Sequence, residues 1–324
     1  MKNKKTILVT GIGGNVGQGI LRNTIAHRKS IRIVGVNVET VTAGTHLCDV
    51  VYQVPFAYDK KYIPEIRRIC KEERVDCIIP STDYETVYLS KNRRSLPTIA
   101  TSSYDVNLTF LDKYRTWQKF TAHGIPFAET ALPSEYKGVF NSDIIKPREG
   151  RGSRGIVYEP KNIKKYPDSF VVQKLYKGIE LPTAFYVTKS GELHSMITFS
   201  RELLGGMTVK CTVDHTYDKQ LLIIIRQMMK HFTIRGSCNI QSIATIDGRV
   251  IPFEINGRIS GTNSIRSQFG FTDVAWTIDE YLYNKKPKPA RLAFGSAVRI
   301  QLDVIYPDVA LKDIKNKNTK HYIF

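Results

Sequence analysis

Near the end of the chain, Gln241, Glu254, Asn256 and Arg258 carry the densest chemical signal in the 324 residues. They lie in CNIQSIATIDGRVIPFEINGR (238 to 258), which reads as two strands joined by a turn at Asp247-Gly248. Such a hairpin returns Gln241 to the side of Glu254 and Asn256, and these last two, one residue apart, face the same way. One carboxylate with amide oxygens suits magnesium, which takes few protein ligands and completes its shell with the phosphates of its nucleotide. A plain strand edge is the alternative. It would place a glutamate and an asparagine around Ile255, beside apolar Ile251 to Phe253, with nothing to satisfy them, so metal binding is the preferred reading.

Upstream, IIKPREGRGSRGI (144 to 156) sets Lys146 at a strand end before a glycine-rich loop. The lysine is a point charge for α- and β-phosphates. The backbone of the loop, with Gly152, Ser153 and Gly155, is free to close over β- and γ-phosphates. VVQKLYKGIE follows, in which a strand through Gln173 leads to a short hinge at Lys174, Leu175 and Tyr176, and then to Glu180. Hinge backbone can hydrogen-bond an adenine, and Glu180 can hold ribose hydroxyls.

A second glycine motif, TGIGGNVGQG (10 to 19), follows a strand and opens a helix, a geometry that can cradle phosphate. It does not fit G-x-G-x-x-G, because Val16 stands where the third glycine belongs. Taken through Gly11, Gly14 and Gly17 it resembles the nucleotide loop of extended short-chain dehydrogenases, with Glu39 as the ribose-binding acid. That rival, a nicotinamide-dependent oxidoreductase or epimerase, needs a Y-x-x-x-K pair near mid-chain. The match, Tyr281 with Lys285, falls close to the C-terminus. Glycines that merely permit a tight turn and close helix packing are an equal explanation.

The elements that must position these residues fall into two regimes. Residues 1 to 105 alternate apolar runs (6 to 11, 31 to 38, 76 to 82) with amphipathic stretches from about Val16 and around 62 to 73, the pattern of a Rossmann-like parallel sheet with crossover helices. From 106 to 324 the pattern is α+β: a helix from Leu111 to His123, then short strands broken by glycine, lysine and proline. Residues 137 to 174 fit a small mobile lid. A long helix covers Lys219 to His231, a last strand covers 296 to 307, and a lysine-rich tail is expected to fray.

Composition narrows the classes. No stretch approaches a membrane span, and the first five residues run straight into ILVT, so a cytoplasmic protein is expected. Five scattered cysteines without C-x-x-C and seven histidines without metal spacing leave no sequence support for a zinc or redox site. The net charge of +18 would draw polyanions, yet no nucleic-acid module accompanies it, and none is expected as a partner.

The helix bearing Asp112-Lys113, the Lys146 loop, the Gln173 to Glu180 hinge and the FEINGR strand, in this order, resemble the ATP-grasp superfamily. The last piece looks most like the large subunit of carbamoyl phosphate synthetase and its single-copy relatives. The resemblance covers nearly the whole chain and implies an N-terminal Rossmann-like domain before an ATP-grasp fold. It further implies that Lys113 and Lys146 contact ATP phosphates, that Gln173 and the hinge read adenine, and that Glu180 binds ribose. Gln241, Glu254 and Asn256 would hold one or two magnesium ions, with manganese as a substitute, and Arg258 would stabilise the transferring phosphoryl group. The synthetase is much longer, with two related halves and a glutaminase partner, so carbamoyl phosphate synthesis itself is not expected. Gly257 replaces the proline usual between the asparagine and the arginine.

The implied activity is an ATP-dependent carboxylate-amine ligase acting through an acyl phosphate, on small molecules that are acidic or polymer-linked. For its carboxylate the sequence offers Arg201, Lys210, Ser260 and Asn263, which lie just outside the nucleotide motifs. Dimers are common among such proteins. A nucleotide-binding scaffold without turnover is the third class, disfavoured by the intact Glu254 and Asn256 pair.

Overall fold

The computed structural model describes residues 4 to 150 and 154 to 324. Among them no helix is long and apolar enough to cross a membrane.

The first part is a parallel sheet. Strands β1 (Lys5–Val9), β2 (Ile31–Asn37), β3 (Val50–Gln53), β4 (Cys77–Ile79) and β5 (Thr98–Ile99) lie in the order β3-β2-β1-β4-β5, with helix α1 (Asn15–Asn23) between β1 and β2, α2 (Tyr62–Glu72) between β3 and β4, and α3 (Asp83–Lys91) between β4 and β5. Central β1 pairs with β2 and β4 and is covered on both faces, which is why Ile7, Leu8 and Val9 can be consecutive and fully buried. Strand order reverses across β1, and the loops after β1 and β4 meet at that switch point. They are fastened together: Thr10 donates its hydroxyl to Glu85 at 2.7 Å, and the Ser81 N–H donates to the Thr10 hydroxyl at 3.1 Å. Burial pushes the Glu85 carboxyl up, against the opposing hydrogen bonds from Thr10 and Thr82.

The glycine spacing of 10 to 19 has packing reasons. A Cβ at Gly17 would lie 2.4 Å from the Gly11 carbonyl oxygen, and one at Gly19 would lie 2.1 Å from Asn263 Oδ1. Gly11 itself turns the chain at φ +56°.

The rest of the chain is antiparallel and helical. Helices α4 (Tyr104–Leu111) and α5 (Lys113–Ala122) stand where one helix from 111 was expected. Asp112 separates them, capping α5 by accepting the Tyr114 and Arg115 N–H groups. Strands β6 (Thr130–Ala131), β7 (Asp143–Pro147), β8 (Val157–Tyr158) and β9 (Phe170–Lys174) form a small sheet in the order β6-β9-β7-β8, with its own core of Tyr136, Ile145 and Val172.

Strands β10 (Gly178–Val187), β11 (Leu193–Leu204), β12 (Met207–Val213), β13 (Gly236–Thr245), β14 (Val250–Asn256) and β15 (Ser296–Val298) make a six-stranded sheet, ordered β14-β13-β10-β11-β12-β15. Helix α6 (Asp218–His231) buries Leu221, Ile224, Ile225 and Met228 in one cluster with Phe185, Cys238 and Ile240 of this sheet. Short α7 (Asn263–Arg266) and α8 (Asp273–Thr277) pack back onto α1 of the first part, whose core includes Ile259, Val274 and Ile278.

Two expectations for the C-terminal segment are corrected. The strand expected over 296 to 307 is two short ones, β15 and β16 (Val304–Ile305). Between them Arg299 turns inward to donate to the Gly261 carbonyl at 2.9 Å, and Asp303 then pairs through backbone with Phe324, beside β17 (Tyr322–Ile323). The lysine-rich tail is docked rather than frayed. Lys317 pairs with Asp49 and donates its N–H to the Cys48 carbonyl, Ile314 is buried, and the His321 ring meets His46 edge-on.

Candidate functional site

The β13–β14 hairpin turns at Gly248, with φ +80°, and its register sets Gln241 opposite Glu254 and Asn239 opposite Asn256. The Gln241 amide donates to Glu254 Oε1 at 3.0 Å and to Asn256 Oδ1 at 3.1 Å, and the Asn256 amide donates to Glu254 Oε1 at 3.1 Å. Lys113, the first residue of α5, brings its ammonium to 3.3 Å from Glu254 Oε2. Burial would raise the Glu254 carboxyl, but Lys113, the Asn256 amide and Lys146 together hold it below the usual carboxylate range.

Lys146 projects from β7 into the same space. Its ammonium donates to Gln173 Oε1 at 2.9 Å and lies 4.5 Å from the centre of the Phe253 ring. Burial, then the charge of Lys113, lower its pKa to about 8, with Glu254 and Glu180 acting the other way. Gln173 is buried, and its amide also donates to the Thr130 hydroxyl at 3.1 Å, so in this structure its side chain holds Lys146.

The hinge residues Lys174, Leu175 and Tyr176 line the cleft between β9 and β10. The Lys174 and Leu175 N–H groups are engaged by the Glu129 and Ser142 carbonyls. Ile144, Ile156, Leu203, Ile243, Ile251 and Phe253 supply apolar walls to a cavity of about 290 Å³. Glu180 is paired with Arg201, whose guanidinium also donates to Gln241 Oε1 at 2.8 Å. Arg258 donates from Nη2 to Asp83 Oδ2 at 2.6 Å.

One cleft therefore gathers Lys113, Lys146, Lys174, Leu175, Tyr176, Glu180, Arg201, Gln241, Glu254, Asn256 and Arg258, together with Gln173. Ser260 also lines it, giving its hydroxyl to Asn239. Lys210 does not reach the cleft wall: it is solvent-exposed and faces Glu202 at 3.4 Å. Asn263 is fully buried as a brace between the two parts of the chain, receiving the Asn23 amide and donating to the Val16 carbonyl. Gly152 and Ser153 lie outside the described residues, while Gly155 turns the loop beside Pro147 at φ +71°.

The residues of the dehydrogenase alternative do not converge. Glu39 is exposed, and the Tyr281 hydroxyl lies beside Gly236, near Ala100. Sequence reading overlooked Asp83, although Thr82 and Glu85 around it have the spacing of a helix-capping pair, and Thr82 does accept the Glu85 N–H. It also overlooked Arg148, which pairs with Asp112 and ties the Lys146 strand to the start of α5.

The donor set fits magnesium: hard oxygens, one carboxylate, two amides and a face open to the cleft. A single negative charge beside Lys113 and Lys146 favours an ion that arrives with phosphates over one that binds alone.

Comparison with known proteins agrees at the level of fold. Residues 110 to 262 match the family model described as ATP-grasp domain, and residues 7 to 103 match the one described as PylC-like, N-terminal domain. Among solved structures, N5-carboxyaminoimidazole synthetase from Staphylococcus aureus complexed with ADP is 14% identical, with a TM-score of 0.71 over 90% of this chain and 81% of that one. The biotin carboxylase domain dimer of Hydrogenobacter thermophilus 2-oxoglutarate carboxylase, in complex with MgADP, ADP and bicarbonate, is 14% identical, with a TM-score of 0.74 over 95% and 76%. L-amino acid ligase from Bacillus licheniformis is 12% identical, with a TM-score of 0.69 over 87% and 75%. No curated protein matches the chain significantly.

Proposed function

We propose that this chain, an ATP-grasp domain behind a PylC-like N-terminal domain, is an ATP-dependent ligase that activates a carboxylate as its acyl phosphate and joins it to an amine. The observation that carries the reading is the convergence of Lys113, Lys146, Gln241, Glu254, Asn256 and Arg258 on one cleft.

A carboxylate oxygen attacks the γ-phosphorus of ATP, the bond to the β-phosphate oxygen breaks, and ADP leaves. The amine nitrogen then attacks the acyl carbon, phosphate departs, and the amine loses a proton. The protein contributes placement and charge compensation. Lys146 and Lys113 face the phosphates, and the apolar walls take the base beside the hinge at Lys174 to Tyr176. Glu180 takes the ribose hydroxyls, and Arg258 faces the transferring group. Magnesium, held by Glu254, Asn256 and Gln241, would supply charge neutralisation at the β- and γ-phosphates. The small sheet from β6 to β9 acts as the lid that excludes water. Arg201 and Ser260, both lining the cleft, are the candidates for holding the substrate carboxylate. Five buried free thiols suit a reducing, cytoplasmic setting, and a homodimer is the proposed assembly.

The test is ADP release with MgATP across a panel of amino acids, sugar acids and dipeptides, with Glu254→Gln as the blank. Thermal stabilisation by MgADP without stabilisation by NAD supports the reading. Stabilisation by NAD alone would sink it.

A further inference from the structure

Arg258 is held from two sides by the N-terminal part of the chain. Asp83, the first residue of α3, accepts from its Nη2 at 2.6 Å, and both side chains are mostly buried at the cleft wall. At the backbone, the Thr101 hydroxyl donates to the Gly257 carbonyl at 3.2 Å. A methyl group at position 257 would lie 2.9 Å from Asn107 Oδ1, so glycine here permits a close approach.

Asp83 is itself anchored. Thr82 caps its helix, and the hydroxyls of Thr82 and Thr10 converge on the buried Glu85 carboxylate. Within the guanidinium, Nη2 is spent on Asp83 and Nη1 on the Ile259 carbonyl, while Nε has no partner among the described residues. A mostly buried ion pair is not needed to join the two parts of the chain, because Asn23, Asn263 and the shared apolar core already do so.

We propose that Asp83 is a positioning residue that aims Arg258 at the transferring phosphoryl group, an inference that rests on the ATP-dependent reading above. A long arginine side chain loses rotamer entropy when it is fixed, and a partner that fixes it beforehand removes that cost from the reaction. The N-terminal part thus serves the chemistry through Asp83 and Thr101.

Calorimetric titration of MgADP, alone and with fluoroaluminate as a mimic of the transferring phosphoryl group, separates the two ideas. In the wild-type protein fluoroaluminate tightens MgADP binding. Arg258→Ala and Asp83→Ala each lose about tenfold or more of that tightening, and Asp83→Asn, which keeps an acceptor oxygen, loses less. MgADP alone binds within about twofold of wild type in all of them. The double variant is no worse than Arg258→Ala, because Asp83 acts through Arg258. Full tightening in Asp83→Ala, or additive losses in the double variant, overturns the proposal. A wild-type protein that binds no MgADP overturns the nucleotide reading itself.

Discussion

Lys146 donates to the side-chain carbonyl of Gln173 at 2.9 Å, across a pair of adjacent antiparallel strands. The bond gives a buried ammonium its one neutral acceptor among the described residues, and the two residues act as a unit.

Because burial and Lys113 lower Lys146 to about 8 from 10.5, the unfolded chain binds the more protons between those two values. Stability from this group therefore rises with pH across that window. Nucleotide affinity moves the other way. Phosphates favour the ammonium form, so MgADP binding takes up a proton and weakens above pH 8, by up to about tenfold per pH unit. Titration calorimetry in buffers of different ionisation enthalpy reads the proton uptake, and Lys146→Met removes it.

Gln173→Leu leaves the Lys146 ammonium without its acceptor. The loss of a buried hydrogen bond to a charged group costs about 1–3 kcal/mol, seen as a lower melting temperature. The apparent pKa of MgADP binding should also fall. An unchanged pKa would show that Gln173 does not support Lys146.

Magnesium alone should leave the melting temperature unchanged, and MgADP should raise it. Glu254 is the only carboxylate of the proposed ligand set and already faces Lys113 at 3.3 Å, so the phosphates must offset the lysines before an ion gains from the site. Chelation of magnesium should return the ADP-bound melting temperature towards the apo value. Glu254→Gln should lose the magnesium-dependent part of the shift.

The fully buried pair Arg266 and Asp273 shapes the cleft loop, since Arg266 also donates to Ser260 at 2.7 Å and Thr262 at 3.0 Å. Arg266→Ala strands the aspartate and should cost about 3–5 kcal/mol by denaturant unfolding. Replacing both by Met and Leu should cost less than that single change.

What was legible in the sequence was local. Gln241, Glu254 and Asn256 are joined by one hairpin, and Lys146 with the hinge belongs to one pair of strands, so short-range pattern suffices to place them together. Asp83 and Arg258 lie 175 positions apart, and no periodicity records such a meeting. An asparagine beside a motif looks the same in sequence whether it braces a helix, as Asn263 does, or faces a cleft. Lys210 failed for the opposite reason: alternation along a strand fixes the face of each residue only once the register, here broken by an irregularity after Glu202, is known. The docked tail was hidden by its lysines, which suggest a solvated end until Lys317 finds Asp49.

Ile259, Val274 and Ile278 complete the apolar interior beneath the parallel sheet, and Asn263 fills the space that Gly19 leaves open. The first hundred residues are thus a module in sequence but not in their interior. Cut free, they would expose the sockets of those three side chains to water, and the fragment would be expected to self-associate. An exchange of N-terminal parts between relatives would have to carry these three positions and residue 263 along with it. Modularity in this molecule belongs to the order of its motifs and not to its solvent-free volume.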